Sequence, residues 1–320
     1  MSAQVSSSTV SGVLPAAGYA SLTPVAADHP KAVRSPDRDI SDSCGVVGTY
    51  VAFSEESRWL IQEPLSEMKF QRTSSPCEAT QVFDVRCSED PCSNYHVGQE
   101  AIIKMKFQIK ALESTERYYQ KWITVCEEYT SRHSEDTPES SKEDEASIQE
   151  VNRTKLAMHL CTHPALEVHQ NTANEIFALY HLADQRCQHA PWLLSFIETC
   201  VMPCDHPLGI VGGYYVVILM TKVPGVRLSR HYLSELSPTE RDEIREAFKI
   251  ALMDVWNCDV VSHDTAFRNI MWDPEERKCY IIDYEECDIV EGEAQMPEEF
   301  TDKQFEWWDL TERHFCHNFV

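Results

Sequence analysis

The sequence is poor in glycine, in basic residues and in long apolar runs, and each shortage argues against a particular motif, partner or segment. Ten glycines are spread over 320 residues, and no Gly-x-Gly-x-x-Gly phosphate-binding loop precedes position 104. The 28 basic residues are outnumbered by 52 acidic ones, and the formal charge of −24 argues against nucleic acid or an anionic membrane as the main partner. No apolar run approaches the length of a membrane span.

The N-terminal region also lacks the features of a secretory signal. It has no Lys or Arg before Lys31 and no compact apolar segment. The sequence therefore favours the cytoplasm, with the nucleus as an alternative.

Cysteine, in contrast, is abundant. The thirteen cysteines are an odd number and do not follow the spacing of a small secreted domain. Two local groups, Cys87 with Cys92 and Cys200 with Cys204, lack the matching second pair that a zinc site requires. We therefore interpret these residues as buried, reduced thiols rather than metal ligands.

A hydrophobic content of 42% supports a real core. Alternating residues from Glu100 to Phe107 and the apolar run from Tyr214 to Thr221 predict strands. The sequence Ser237-Pro-Thr-Glu combines an N-cap, a first-turn proline and a capping glutamate, which predicts a helix that runs to about Asn257. The Ser/Ala-rich residues 1–58 predict a disordered tail, and the acidic run at about 131–150 predicts a solvated insertion.

The strongest chemical signal follows this predicted helix. Asp264 is followed five residues later by Asn269, and Asp283 ends a second apolar run after a short turn. Phosphoryl transfer uses one carboxylate to orient a hydroxyl, and an amide with a second carboxylate to hold Mg²⁺ on the nucleotide phosphates. A carboxylate at the end of an apolar run is also costly to bury without a metal or donor groups.

These motifs carry a family resemblance. The stretch Ser262-His-Asp-Thr-Ala-Phe-Arg-Asn269, followed by Asp283, resembles the catalytic and metal-binding loops of the protein-kinase-like superfamily. It is most similar to the fungal kinase-like proteins and to the aminoglycoside and choline phosphotransferases. The resemblance implies an α+β, two-lobed fold with a small antiparallel-sheet N-lobe and a truncated helical C-lobe. It also implies that Asp264 is the catalytic residue and that Asn269 and Asp283 bind the metal.

Two departures from the family pattern bear on activity. Ser262 replaces the usual His, and Asp283-Tyr284-Glu285 replaces Asp-Phe-Gly, which removes a flexible glycine and adds a carboxylate beside the metal site. Only 37 residues follow Asp283, which leaves little room for a substrate-binding helical subdomain.

The resemblance also implies a lysine that binds phosphate and a glutamate that positions it. Lys104, in Ala-Ile-Ile-Lys, resembles the family's strand lysine, and Lys106 faces the same side one strand period later. Glu175, early in a predicted helix, is its best partner. The alternatives are two exposed lysines on an edge strand and a glutamate that only favours the helix dipole.

The segment from Thr221 to Gly225 resembles the hinge between kinase lobes, where backbone groups near Thr221 and Val223 would receive the adenine edge. A plain strand-to-turn exit at Pro224-Gly225 is the alternative explanation.

The sequence thus predicts an ATP- and Mg²⁺-dependent phosphotransferase that moves the γ-phosphate to a hydroxyl of an unidentified acceptor, either a small molecule or a protein. The alternatives are a catalytically inactive kinase-like protein that acts through protein contacts, and an unrelated fold in which Asp264, Asn269 and Asp283 do not converge. The predicted N-lobe covers 59–222 and the predicted C-lobe covers 223–320.

Overall fold

The computed structural model describes residues 45–53, 57–73, 75–133, 141–290 and 299–311. The strands are β1 (Tyr50–Phe53), β2 (Ser57–Pro64), β3 (Lys69–Gln71), β4 (Cys77–Glu89), β5 (Glu100–Ile109), β6 (Leu193–Cys200), β7 (Tyr214–Thr221), β8 (Val226–Arg227), β9 (Val260–Ser262), β10 (Ile270–Asp273), β11 (Lys278–Ile281) and β12 (Cys287–Ile289). The helices are α1 (Glu113–His133), α2 (Ser141–Leu160), α3 (Gln170–Asp184), α4 (Arg230–Glu235), α5 (Pro238–Asn257) and α6 (Asp302–Trp307).

The N-terminal part is built on one antiparallel sheet. Its strand order is β1-β2-β4-β5-β7-β6, and the short β3 pairs with β4. Strands β5 and β7 lie in the middle and are buried on both faces, which explains why their sequences are nearly continuous apolar runs. Because β5 is an interior strand, Lys104 and Lys106 do not lie on an exposed edge, and that alternative is excluded.

The C-terminal part is organised around α5. The capping box at its start is formed as predicted: the Ser237 hydroxyl accepts from the Glu240 amide at 3.3 Å, and the Glu240 carboxylate accepts from the Ser237 amide at 2.7 Å. The apolar face of α5, which includes Phe248 and Leu252, is buried against β9 and β11. Helix α5 ends at Asn257, directly before β9 and the loop that carries Asp264.

An aromatic cluster closes the outer side of α5. Phe248 contacts Phe300, Phe305 and Trp308, and Trp308 is buried. The aromatic segment around α6 therefore packs against α5; residues 312–320 lie outside the described residues. No helix in the described ranges is long and apolar enough to cross a membrane.

The predicted α+β class is confirmed. An antiparallel sheet, with helices α1, α2 and α3 inserted before its last two strands, is followed by a helical part that leads into two loops. Helix α3 directly precedes those two strands, as predicted.

Two predicted boundaries are wrong. Residues 1–44 lie outside the described residues, but β1 and the start of β2 fall within the predicted tail 1–58. They belong to the sheet because Phe53 and Trp59 are fully buried in its core. The predicted insertion at about 131–150 begins inside α1 and ends inside α2, with 134–140 outside the description. The two helices pack on each other, and Lys155 pairs with Glu127 at 2.7 Å, so the acidic run carries helix at both ends.

The interpretation of the cysteines is also partly wrong. Cys87 is buried, but Cys92, Cys200 and Cys204 are exposed. Their positions in turns or at a strand end, rather than in apolar periodic segments, account for this exposure.

Candidate functional site

One cleft brings together most of the residues that the sequence singled out. It has a volume of about 580 Å³ and lies between the sheet, the segment after β7, and the loops around β10 and β11. Its lining includes six predicted site residues: Lys104, Glu175, Thr221, Val223, Asp264 and Asp283. The alternative of an unrelated fold required these groups to diverge, and the two aspartates instead face one cavity.

Lys104 lies at the centre of a cage of carboxylates. Its Nζ is 2.7 Å from Glu175, 2.9 Å from Asp283 and 2.7 Å from Glu285. Strand β5 supplies the lysine, α3 supplies Glu175, and the segment after β11 supplies the two remaining acids. Lys104 therefore links β5, α3 and the segment after β11 through ion pairs, and it also borders the cleft.

Lys106 faces the same side of β5 but lies behind the cleft. It is fully buried, with Nζ 3.2 Å from Glu285, 3.3 Å from Glu78 and 3.5 Å from Glu175. Glu78 is held in turn by hydroxyl donors from Thr172 at 2.7 Å and Tyr214 at 3.1 Å. Lys106 does not line the cleft, so the geometry favours Lys104 for any contact with a ligand.

The cluster as a whole carries excess negative charge. Two lysines face four carboxylates, those of Glu78, Glu175, Asp283 and Glu285. Burial alone would lower the pKa of Lys104, but Glu175, Asp283 and Glu285 outweigh it and hold that pKa well above its ordinary value. Burial opposes ionisation of Glu285 too, yet the two lysines lower its pKa to about 2. Burial raises the pKa of Glu175 despite the lysines beside it.

Asp264 is held from two sides by its own loop. Arg268 donates to both of its carboxylate oxygens, at 2.6 and 2.9 Å, and Asn269 Nδ2 donates to Oδ2 at 2.8 Å and to the Asp264 carbonyl at 2.9 Å. A 3₁₀ turn at Phe267–Asn269 produces this geometry, because it brings the residues four and five positions on back to the aspartate. The carboxylate is thereby oriented, although it stays at the cleft surface.

Asn269 lies beneath the cleft rather than in its lining. The side chain is fully buried, and because Nδ2 is committed to Asp264, Oδ1 points elsewhere. That oxygen has no hydrogen-bond partner in the part of the chain that the structure describes. A buried amide oxygen without a donor is costly, and a cation would relieve the cost.

Asp283 follows β11 in a left-handed backbone conformation, with φ of 70°. Non-glycine residues adopt this region rarely, and such strain is concentrated at functional sites. Tyr284 fixes the turn because its ring is fully buried and its hydroxyl donates to the Ile281 carbonyl at 3.1 Å. The Asp283 carboxylate is thus turned into the cleft, where Oδ1 meets Lys104 and Oδ2 makes no hydrogen bond to a described residue.

The donor set fits a hard divalent cation such as Mg²⁺, which prefers carboxylate and amide oxygens. Asn269 offers the unpartnered Oδ1, and Asp283 offers Oδ2. Oxygens of Glu175, Asp283 and Glu285 also lie within 4.8 Å of one another, but the Lys104 ammonium already satisfies that trio.

The segment predicted as a hinge lines the cleft at the end of β7, and its two backbone positions are not equivalent. The Thr221 amide donates to the Trp192 carbonyl at 3.0 Å, and the Thr221 hydroxyl accepts from the Trp192 amide at 2.8 Å. The Thr221 amide is therefore not available to a ligand. Val223 makes no backbone hydrogen bond with a described residue, so it is the better candidate for the adenine edge.

The segment that covers the cleft contains no glycine. Residues between β2 and β4, including Leu65, Lys69 and Phe70, line it, and β3 pairs this segment back onto β4. Gly98, the nearest glycine in sequence, is not among the lining residues. This part of the cleft is therefore lined by a segment without glycine.

Several residues of the site were not predicted or were placed differently. Arg268, to which the sequence assigns no role, is half-exposed and binds Asp264. Glu78 and Arg227 belong to no recognised motif. The only sequence signal for Glu78 is a carboxylate inside a buried strand. His263 is half-exposed, contacts Asp288 at 2.8 Å and does not line the cleft.

Comparison with known proteins adds little detail. No family model matches the sequence, and no curated protein matches it. Among solved structures, the chain is similar to the kinase PK-1 of Cydia pomonella granulovirus, with 12% identity and a TM-score of 0.34. The match covers 72% of this chain and 55% of the viral kinase, and at this distance it transfers no activity. The order of elements is that of an α+β fold in which an antiparallel sheet is followed by a helical part, with a cleft between the sheet and the loops.

Proposed function

We propose that this protein is an ATP- and Mg²⁺-dependent phosphotransferase. The observation that carries the proposal is the convergence of Asp264, Asp283 and the Lys104–Glu175 pair on one cleft. A scaffold without nucleotide chemistry needs none of these groups in that arrangement, and each matches a part of the phosphoryl-transfer machinery.

Each residue of the site has a proposed role in this reaction. Lys104, positioned by Glu175, would neutralise nucleotide phosphates, and Val223 would receive the adenine edge. Asn269 and Asp283 would hold Mg²⁺, which supplies charge neutralisation and orientation of the phosphates when bound. Asp264 would accept a hydrogen bond from the acceptor hydroxyl and so orient it.

In the transfer itself, the acceptor oxygen forms a bond to the γ-phosphorus while the bond from that phosphorus to the β–γ bridging oxygen breaks. ADP leaves with the electron pair of the broken bond, and Asp264 takes the proton of the acceptor hydroxyl. Catalysis of this kind comes from positioning and charge stabilisation, so loss of one metal ligand is expected to nearly abolish turnover.

The acceptor is the least defined part of the proposal. The resemblance to aminoglycoside and choline phosphotransferases and to fungal kinase-like proteins favours a member of that branch, with either a small molecule or a protein as acceptor.

Calorimetric titration of the full chain with ATP and MgCl₂ tests the proposal. Wild-type protein is expected to bind ATP in a Mg²⁺-dependent way, and Asp283→Asn is expected to lose the Mg²⁺ dependence while it keeps the shape of the side chain. Failure of wild-type protein to bind millimolar ATP would overturn the proposal.

A second candidate function rests on one specific observation. Glu285, which stands where the family pattern has glycine, holds Lys104 at 2.7 Å and Lys106 at 3.2 Å. Phosphate would have to compete with this carboxylate for Lys104, which favours a kinase-like protein that acts through protein contacts without catalysis. Substitution Glu285→Gly separates the two functions: it should strengthen nucleotide binding in an enzyme and leave a non-binding protein unchanged.

A further inference from the structure

The basic side chains of the cleft differ in one respect, namely whether they have a carboxylate partner. Lys104 is caged, Arg268 is bound to Asp264, and Lys222 lies 2.6 Å from Asp84 and 3.0 Å from Glu100. Lys69 and Arg227 also line the cleft, and neither makes an ion pair with a residue that the structure describes. Lys69 is exposed on the short β3, whereas Arg227 is hydrogen-bonded to the loop that carries Asp264. Arg227 is exposed, so its guanidinium is accessible to a ligand in a chain whose formal charge is −24.

Arg227 is nevertheless held firmly by the fold. Its strand, β8, pairs with β10 opposite Met271, and Arg227 Nε donates to the carbonyl oxygen of Arg268. Gly225 makes this approach possible, because its φ is +97° and a Cβ there would collide with the Trp272 backbone oxygen. One edge of the guanidinium is therefore fixed, and the two Nη groups have no hydrogen-bond partner in the described residues.

The position of Arg227 relative to the two aspartates is informative. Burial and Arg268 lower the pKa of Arg227, whereas Asp283 and Asp264 act on it in the opposite direction. The guanidinium is thus within electrostatic reach of both the hydroxyl-orienting and the metal-binding carboxylate, and it is bonded to neither. The reacting phosphate would pass between these two groups in the proposed function.

We propose that Arg227 binds the terminal phosphate of the nucleotide and stabilises its charge during transfer. The inference rests on the proposed function and adds a residue that no motif identifies. A planar guanidinium suits this task because its free Nη groups can donate two parallel hydrogen bonds to phosphate oxygens. Arginine in this position would also offset the missing glycine-rich loop, since side-chain donors replace backbone amides.

The test compares ATP with ADP, because only ATP carries the group that Arg227 is proposed to contact. Dissociation constants for both nucleotides, each with MgCl₂, are measured by calorimetry for wild-type protein, Arg227→Gln and Arg227→Lys. Arg117→Gln is the matched control, since it removes one positive charge from the exposed surface of α1. Thermal unfolding of each variant checks that it is folded.

Arg227→Gln is expected to weaken ATP binding by about tenfold to a hundredfold, the usual loss for a hydrogen bond to a charged group. ADP binding is expected to change by less than about threefold. The ATP affinity of Arg227→Lys is expected to lie between those of wild type and Arg227→Gln, because lysine keeps the positive charge but lacks the paired donors of the planar guanidinium. Arg117→Gln should leave the ratio of the two constants unchanged.

Two other outcomes overturn the inference, and they differ in whether the proposed function also fails. If wild-type protein binds both nucleotides and Arg227→Gln weakens them equally or not at all, Arg227 has no role at the terminal phosphate and the proposed function survives. If wild-type protein binds neither nucleotide, the proposed function and the inference fail together.

Discussion

Lys104 and Lys106 lie two residues apart on the same face of β5 and share Glu175 and Glu285, yet they occupy different environments. The Lys104 side chain is 7% exposed and borders the cleft, whereas that of Lys106 is 0% exposed and lies behind it. The difference separates two roles that a sequence cannot distinguish: an ammonium group that a ligand can reach, and one that only holds acids together.

The carboxylates around the two lysines also differ in exposure. We call Lys104, Asp283 and Glu285 the cleft layer, and Lys106, Glu78 and Glu175 the sealed layer. Asp283 and Glu285 in the cleft layer keep about a quarter of their side-chain surface exposed, so water or a ligand can replace Lys104. Glu78 and Glu175 are only 2% and 3% exposed, and although Glu175 reaches the cleft lining, neither has enough exposed surface for such a replacement. We therefore expect substitutions in the sealed layer to affect stability and substitutions in the cleft layer to affect binding.

Lys106→Met is expected to have the largest effect. It leaves Glu78 and Glu175 buried with less compensation, and breaking a buried ion pair in this way costs about 3–5 kcal/mol of unfolding free energy. Urea denaturation of wild-type and variant protein measures the change. Lys110→Met, at an exposed position directly after the same strand, is the control and should cost under about 1 kcal/mol.

A double variant sharpens this prediction. Adding Glu78→Gln to Lys106→Met removes one of the uncompensated charges, so the pair should cost less than the sum of the two single changes. Additive losses would show that Lys106 and Glu78 do not stabilise each other.

Lys104→Met is expected to lower ATP affinity by more than about tenfold, because the phosphates lose their main positive charge. Its effect on unfolding free energy should be smaller than that of Lys106→Met, since two of the acids left behind face the cleft. Calorimetry on both folded variants makes the comparison. The division of roles is contradicted if Lys106→Met remains folded and loses as much ATP affinity as Lys104→Met.

A third polar cluster, whose residues do not line the cleft, tests whether the sealed layer differs from other buried polar groups. Asp254 on α5 accepts from His189 Nδ1 and from the Gln188 amide, both at 2.8 Å. Burial alone would raise the pKa of Asp254, but these hydrogen bonds hold it below its ordinary value. The carboxylate therefore stabilises the fold above its unfolded-state pKa, and the contribution is lost as the pH falls through the folded-state pKa.

Asp254→Asn is accordingly expected to cost about 1–3 kcal/mol at pH 7 and less at pH 3, without a change in ATP affinity. Unfolding free energies at the two pH values provide the measurement. Glu198→Gln, on the exposed end of β6, should reproduce the wild-type dependence on pH. Equal costs of Asp254→Asn at pH 7 and pH 3 would show that the ionised carboxylate does not stabilise the fold.

Much of this architecture could be predicted from local patterns. The apolar run of β7 has the predicted bounds, and α5 begins at the predicted capping box and ends at the predicted residue. The motif residues Asp264, Asn269 and Asp283 could be found because loops place them at fixed offsets from short strands. Such features depend on residues close together in the chain, which sequence periodicity and capping rules describe well.

What could not be predicted depends on contacts between distant segments. The pairing of Lys106 with Glu78 links adjacent strands, and the position of Arg227 depends on β8 finding β10 across 44 residues of chain. Glu285 was recognised only as an added carboxylate beside the metal site, because nothing local shows that it reaches back to β5. The Thr221 amide is likewise engaged by Trp192, a residue with no motif.

The smallest expected effect concerns a feature outside both layers. Ser237→Ala removes half of the capping box of α5 and should cost about 1 kcal/mol, because one amide at the helix start loses its acceptor. Thr239→Ala, exposed in the same first turn, is the control and should cost less. Since α5 ends directly before the loop of Asp264, ATP affinity measured on both variants shows whether the far end of the helix influences the cleft. We expect unchanged affinity, because the buried face of α5 fixes its C-terminal end independently of the cap; a drop with Ser237→Ala alone would show that the helix transmits strain to the site.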